Sequence, residues 1–264
     1  MKRWWHLPFA GFAATRRWLM WVALALVCLQ VFFVLRIALM AWVSPHSTAF
    51  MRSEAWRRLH ADAVTPAGTK TGNSPPAPVR PWAQVWAGST QISPHLKRAV
   101  IASEDDRFAS HQGVEWAAME SAWSRNRQQA QRARQSGSAQ PPKVVGGSTI
   151  TQQLAKNLLL SGERLLPRKA QEMVLSYLLE ACLSKQRILE IYLNSVEWGD
   201  GVFGAEAAAQ RYFGVSAAQL TPEQAARLAV MLPAPKTFER RPNSAYMNRR
   251  TATILARMPN VVLP

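Results

Sequence analysis

Residues 18–43 form a near-continuous apolar run, and no other feature restricts the architecture of this chain so tightly. Hydrocarbon offers no partner for main-chain amides, so such a run crosses a bilayer as a helix. At ~1.5 Å per residue it spans a ~30 Å hydrocarbon layer with some tilt. Its one charge, Arg36, lies near the far end, where a long side chain reaches the interface. A cleaved signal peptide is the competing reading; the run is too long for one, and no small-x-small site follows it cleanly. Lys2, Arg3, Arg16 and Arg17 precede the run with no acid among them. That asymmetry predicts a cytoplasmic N-terminus with the remainder outside. The expected organisation is a cytoplasmic tail at 1–17, a transmembrane anchor at 18–43, a stalk or linker at 44–84 and a globular domain at 85–264.

With 48% hydrophobic residues in 264, the chain has material for one membrane span and one packed core. The formal net charge is +16, and most of the excess lies beyond residue 43. Such a balance suits anionic lipid, a phosphate-bearing substrate or nucleic acid. Placement outside the inner membrane makes nucleic acid the poorest of the three. The two cysteines, Cys28 and Cys182, belong to different phases, so no disulfide is expected; both read as small buried hydrophobes.

Beyond the anchor, residues 44–60 read as its continuation into a helical stalk. Residues 61–81, rich in Pro and Gly, read as a linker or an extended wrap. Ser93 caps a helix with Pro94 in its first turn, and Ser184 and the Thr221–Gln224 pair open two more. Residues 124–143 mix Arg125, Arg127, Arg132, Arg134 and Lys143 with Gln, Ser, Gly and Pro, and read as a solvated mobile loop over a cleft. No alternating strand pattern stands out, so the outer domain is expected to be mainly α.

Several blocks carry chemistry. In Gly146-Gly147-Ser148-Thr149-Ile150-Thr151-Gln152-Gln153, the glycines let backbone pass close to a ligand or another segment. Thr149 with Gln152 then forms a capping box. Its polar residues, with Lys156, make a binding wall or simply an ordinary capped helix. Glu104, Asp105 and Asp106 stand together where a helix ends. Three acids there oppose the helix dipole, so something else must stabilise or use them. Partial burial would raise the pKa of Glu104, as general acid–base chemistry needs; a solvated acidic turn is the plainer account. His111 has no second ligand at metal spacing and reads as a hydrogen-bonding structural residue. Arg168 and Glu172, four apart, can pair. Glu172 is then a second catalytic carboxylate, a metal ligand or one half of a surface ion pair. Lys156, Arg164 and Arg168 could converge on a diphosphate. Glu190, Tyr192, Asn194 and Glu197 are of the kind that hold a sugar ring, or they are packing.

Taken together, Glu104 through Phe108 with His111 and Gly113, Gly146 through Gln153 with Lys156 and Asn157, Arg168 through Glu172, Lys185 through Asn194, and Gly199 through Phe213 resemble the ordered motifs of the peptidoglycan glycosyltransferases, glycosyltransferase family 51. The resemblance is closest to its monofunctional, membrane-anchored members and covers residues 85–260. Glu115 departs from it, since the family often has Asp there, and that puts local packing in question.

The resemblance implies a mainly α, lysozyme-like domain with a small membrane-proximal lobe. It implies polymerisation of lipid II: Glu104 as the base that deprotonates the acceptor 4-hydroxyl, inversion at the donor C1, and departure of undecaprenyl diphosphate. It gives Glu172 a role at the leaving diphosphate, directly or through a divalent metal (Mg or Mn), with no tightly bound cofactor. It places Lys156, Arg164 and Arg168 at the diphosphate, and Ser148, Thr149, Gln152, Gln153 and Asn194 along the substrate. Partners would be lipid II, the undecaprenyl-diphosphate-linked glycan, the inner membrane and other cell-wall synthesis and division proteins. A base on one face and leaving-group stabilisation on the other is what inversion at an anomeric carbon requires. The alternatives are a lysozyme-like muramidase that cleaves the same glycan and a non-catalytic cell-wall scaffold.

Overall fold

The computed structural model describes residues 9–64, 82–136, 146–160 and 166–264. They divide into two units after Val43. The first is built on α1 (Phe9–Leu39), of which Ala14–Leu39 is long and apolar enough to cross a membrane. Its outward side chains, among them Trp18, Leu26 and Leu35, are large and apolar, as a lipid-facing helix requires.

The helix does not run on as a stalk. It ends in a turn, and Pro45 disfavours helix for the residue before it. A separate α2 (Ala49–Val64) follows, begun by Thr48, whose Oγ1 accepts from Met51 N at 2.9 Å. This helix belongs to the second unit. Phe50 meets the Phe203 ring with centroids 6.4 Å apart. Arg58 donates to Asp200 at 2.7 Å and Lys236 to Glu54 at 2.9 Å. Burial alone would raise the Glu54 carboxyl, but Arg57, Lys236 and Arg58 outweigh it and hold it at about 2. Lys236 also lies 3.2 Å from Glu197, so its ammonium occupies the middle of this acidic group. The expected linker at 61–81 lies, past residue 64, outside the described residues.

The second unit continues with β1 (Ala83–Gln84), α3 (Pro94–Glu104), α4 (Trp116–Gln135), α5 (Ile150–Leu159), α6 (Leu166–Cys182) and α7 (Lys185–Ser195). Then come β2 (Glu197–Gly199), β3 (Val202–Phe203), α8 (Ala205–Phe213), α9 (Pro222–Met231), α10 (Pro235–Glu239) and α11 (Ala245–Arg257). The unit is mainly α, as expected. The three strands, ordered β1-β3-β2 with β1 parallel and β2 antiparallel to β3, are too short to show an alternating pattern.

The expected loop at 124–143 is, through Gln135, the second half of α4. Arg, Gln and Ala favour helix, and no Gly or Pro interrupts 116–135. The charges mark an exposed helix, on which Ala122 is the buried residue. Cys28 and Cys182 are free, as expected, but Cys28 is exposed and Cys182 only half-buried.

Helix starts follow their capping residues. Ser93, Thr149, Ser184 and Thr221 each accept a bond from the first turn of the helix that follows. The core forms where α3 packs on α9 and α9 on α11, and where α5 packs on α6 and α7. Leu96 and Val100 of α3, Ile150 and Leu154 of α5, Leu179 of α6 and Ile188 of α7 are fully enclosed.

Candidate active site

Two helix ends meet at the heart of the second unit. Asp105 closes the C-terminus of α3, and its Oδ2 accepts from Ile150 N, at the start of α5, at 2.9 Å. The acid that opposes one helix dipole thus complements the other. His111 Nε2 donates to both Asp105 oxygens at 2.9 Å, while His111 Nδ1 accepts from Gly113 N at 3.0 Å. This is the structural histidine expected from the sequence. Thr149 Oγ1 donates to Gly113 O at 2.6 Å and accepts from Gln152 N at 3.1 Å, which closes the polar ring. A Cβ on Gly147 would lie 2.8 Å from that of Ala122, so this glycine lets the segment pass against α4.

The ring leaves Glu104, the last residue of α3, at the wall of a cleft of about 310 Å³. Gln153 Nε2 donates to Glu104 Oε2 at 2.8 Å, and Ser103 Oγ lies 3.5 Å from Oε1. Burial pushes the Glu104 carboxyl up; Gln153, Ser103 and the Arg250 charge oppose the rise. Gln153 Oε1 in turn accepts from Tyr192 Oη at 2.9 Å.

Ser148 and Thr149 line the same cleft. Behind Ser148 stands the cationic cluster of α6. Lys169 Nζ donates to Ser148 Oγ at 3.1 Å and also to Glu172 Oε1. Arg168 donates to Glu172 Oε2 at 2.8 Å. Glu172 is buried, so this is an interior pair and not a surface one. Both of its oxygens are taken by cations, and a divalent ion would compete with Arg168 and Lys169 for them. Among the described residues, three carboxylates within reach of one ion occur only at Glu54, Glu197 and Asp200, where Lys236 already sits. Lys156 lies on α5 one turn beyond Gln152 and Gln153 and is half-buried. Arg164 lies outside the described residues.

Two expected substrate contacts are structural instead. Asn194 is fully buried; its Oδ1 accepts from Ala87 N and its Nδ2 donates to Ala87 O, both at 2.8 Å. It fastens the segment before α3 to α7 and leaves no group for a sugar. Gln152 is equally enclosed and spends its Oε1 on Thr149 N, completing the capping box. A motif shows that a polar residue is required but not which way it points. Of the sugar-holding candidates, Glu190 pairs with Arg187, Glu197 with Lys236, and Tyr192 lies in the core behind Gln153.

The described residues thus join a half-buried carboxylate, an open cleft and a cation cluster reached through Ser148. The transglycosylase family model matches residues 79–259. The chain belongs to the transglycosylase family. It is 46% identical over 248 residues to the biosynthetic peptidoglycan transglycosylase of Herminiimonas arsenicoxydans, covering 94% of this chain and 96% of that one. The protein of the same name from Bordetella pertussis is 46% identical over 247 residues, covering 92% and 93%. That of Burkholderia orbicola is 47% identical over 235, covering 89% and 85%.

Several cleft residues of this transglycosylase carry no signal in the motifs. Arg125 and Arg257 line it, and Arg250 of α11 acts on Glu104; Asp106, also in its wall, belongs to the Glu104–Phe108 motif. The arginines of α4 and α11 reach the cleft only through tertiary packing. Lys169 was legible, being three residues from Glu172 as Arg168 is four. Glu115 is the N-cap of α4 but makes no side-chain cap; it lines the cleft and accepts from Arg107 at 2.8 Å. The shorter Asp is a better helix cap.

Proposed function

We propose that this transglycosylase polymerises lipid II into β-1,4-linked glycan with release of undecaprenyl diphosphate. The observation that carries the reading is the half-buried Glu104 at the cleft, its carboxyl raised by burial and hydrogen-bonded by Gln153. Such a carboxylate is the base for the acceptor 4-hydroxyl. Its oxygen bonds to the donor C1 as the C1–diphosphate bond breaks with inversion, and the proton passes to Glu104. A carboxylate base positioned in this way contributes about 10²–10⁴-fold to rate.

The diphosphate leaves as an anion, so cations replace the proton donor of a hydrolase. Arg168 and Lys169, organised by Glu172, are suited to this, with Lys156 and Arg164. Arg168 Nε is a buried donor with no acceptor among the described residues, the kind of group a ligand oxygen satisfies. Ser148 then faces the sugars, while Thr149, its hydroxyl spent on Gly113 and Gln152, holds the cleft wall and Gln153 supports the base. Glu172 is the carboxylate that would hold a divalent ion, which would supply further positive charge to the leaving diphosphate, but Arg168 and Lys169 already occupy both its oxygens. The protein alone should therefore bind Mn²⁺ no tighter than about the millimolar range by calorimetry, with no change in Glu172→Gln, a weak binding set by the cations already on that carboxylate.

On this reading α1 anchors the chain in the inner membrane with its N-terminus cytoplasmic and the second unit in the periplasm, beside its lipid substrate. Gel analysis tests the activity. The full-length protein should lengthen glycan from lipid II, and Glu104→Gln should lose that activity at least 10²-fold. Shortening of finished glycan would make it a muramidase. Full activity of Glu104→Gln would remove Glu104 from the chemistry.

A further inference from the structure

Tyr192 is fully enclosed on α7 and touches neither the cleft nor solvent. Its hydroxyl nevertheless takes part in a directed chain: Tyr192 Oη to Gln153 Oε1 at 2.9 Å, and Gln153 Nε2 to Glu104 Oε2 at 2.8 Å. A carboxamide has two faces of similar shape and opposite hydrogen-bonding sense. With nitrogen toward Glu104 it stabilises the carboxylate. With oxygen toward Glu104 it repels the carboxylate and accepts from the protonated acid.

The phenol decides between these orientations. In the observed one its hydrogen goes to Gln153 Oε1. In the reversed one Gln153 would donate to the phenol oxygen, and the buried O–H would lose the one acceptor recorded for it among the described residues. Leaving such a group unpaired costs its full desolvation with nothing gained in return. We propose that Tyr192 is a positioning residue: its phenol locks the Gln153 amide with nitrogen toward Glu104, and so holds Glu104 in the ionised form that accepts the substrate proton. This rests on Glu104 being the base.

The other groups around the carboxylate act on its charge but do not set the orientation of the amide. Arg250 of α11 favours the ionised form and Asp105 disfavours it. Asp106, Glu115, Arg125 and Arg257 share the cleft. From the α9 side, Ser103 Oγ is divided between Glu104 and Ala229 O, at 3.5 Å each. Burial pushes the Tyr192 phenol well above its usual range, with the nearby Glu104 and Asp105 adding to this, so it remains a donor wherever the enzyme works.

The test is the pH profile of lipid II polymerisation by full-length protein in detergent, for wild type, Tyr192→Phe, Gln153→Met and the double variant. Tyr192→Phe should move the acid limb of kcat upward by about half to one pH unit, with KM little changed and a rate deficit that shrinks toward alkaline pH. Gln153→Met, which cannot make either bond, should show the same displacement of the limb, and the double variant should add nothing further. An acid limb that coincides with wild type, or a uniform loss of rate at every pH with an unmoved limb, overturns the proposal. If Tyr192→Phe does not fold, an unmoved limb in Gln153→Met does so. An active Glu104→Gln instead removes the underlying assignment of the base, so the two failures are distinguishable.

Discussion

Glu104 is held between opposing effects. Burial favours its neutral form, and the donors around it favour the charge. The balance leaves its pKa above the ordinary carboxylate value, with two consequences. A base works only when unprotonated, so polymerisation should fall on acidification with a midpoint above the ordinary Glu range, read from the pH–rate profile. The sign for stability runs the other way. A folded-state pKa above the unfolded one means that ionisation costs the folded form more, so stability falls as pH rises from the unfolded value through the folded one. Glu104→Gln should therefore raise Tm at neutral pH by roughly a few degrees while abolishing activity, measured by scanning calorimetry. Nearby residues show what motif reading can and cannot supply. Arg168–Glu172 was legible because pairing at four residues is fixed by helix pitch. The burial of that pair was not, since it depends on what packs over α6.

At the scale of the element, the start of α5 is the structural pivot. Thr149 caps the helix, bonds to Gly113 and lines the cleft. Thr149→Ala should cost about 1–2 kcal/mol in urea unfolding, and Thr149→Ser should recover most of it. Such caps were legible because they join residues three apart. The same locality explains the misreading of 124–135 as loop. Its charges suggested solvation, which is correct for the side chains, but the backbone follows propensity and forms α4. Asn194 and Gln152 went astray for a different reason: only the neighbouring elements reveal that both are turned inward.

For the molecule as a whole, the division after Val43 separates an apolar helix from a unit with its own core. Removal of residues 1–43 should leave the helical circular dichroism of the remainder and its cooperative melting in place. It should also lower vesicle binding and polymerisation of vesicle-borne lipid II by about tenfold or more, because tethering raises the local concentration of enzyme at its substrate; flotation with vesicles measures the first and gel analysis the second. The second unit draws in α2, which carries Glu54 to Lys236 and Arg58 to Asp200. Nothing within 44–64 announces these partners, which stand more than a hundred residues away.

The amino-acid order by itself determined the long apolar helix, the helix starts and the neighbouring pairs, because each depends on length, composition or spacing within one or two turns. It also set out the ordered motifs that mark a transglycosylase. Folding decided what those motifs face. It turned Asp105 from a liability at the end of α3 into an acceptor for the first amide of α5, placed Tyr192 behind Gln153, and brought arginines from α4 and α11 to the cleft. These relations join residues distant in the chain, and packing alone chooses which side chains meet.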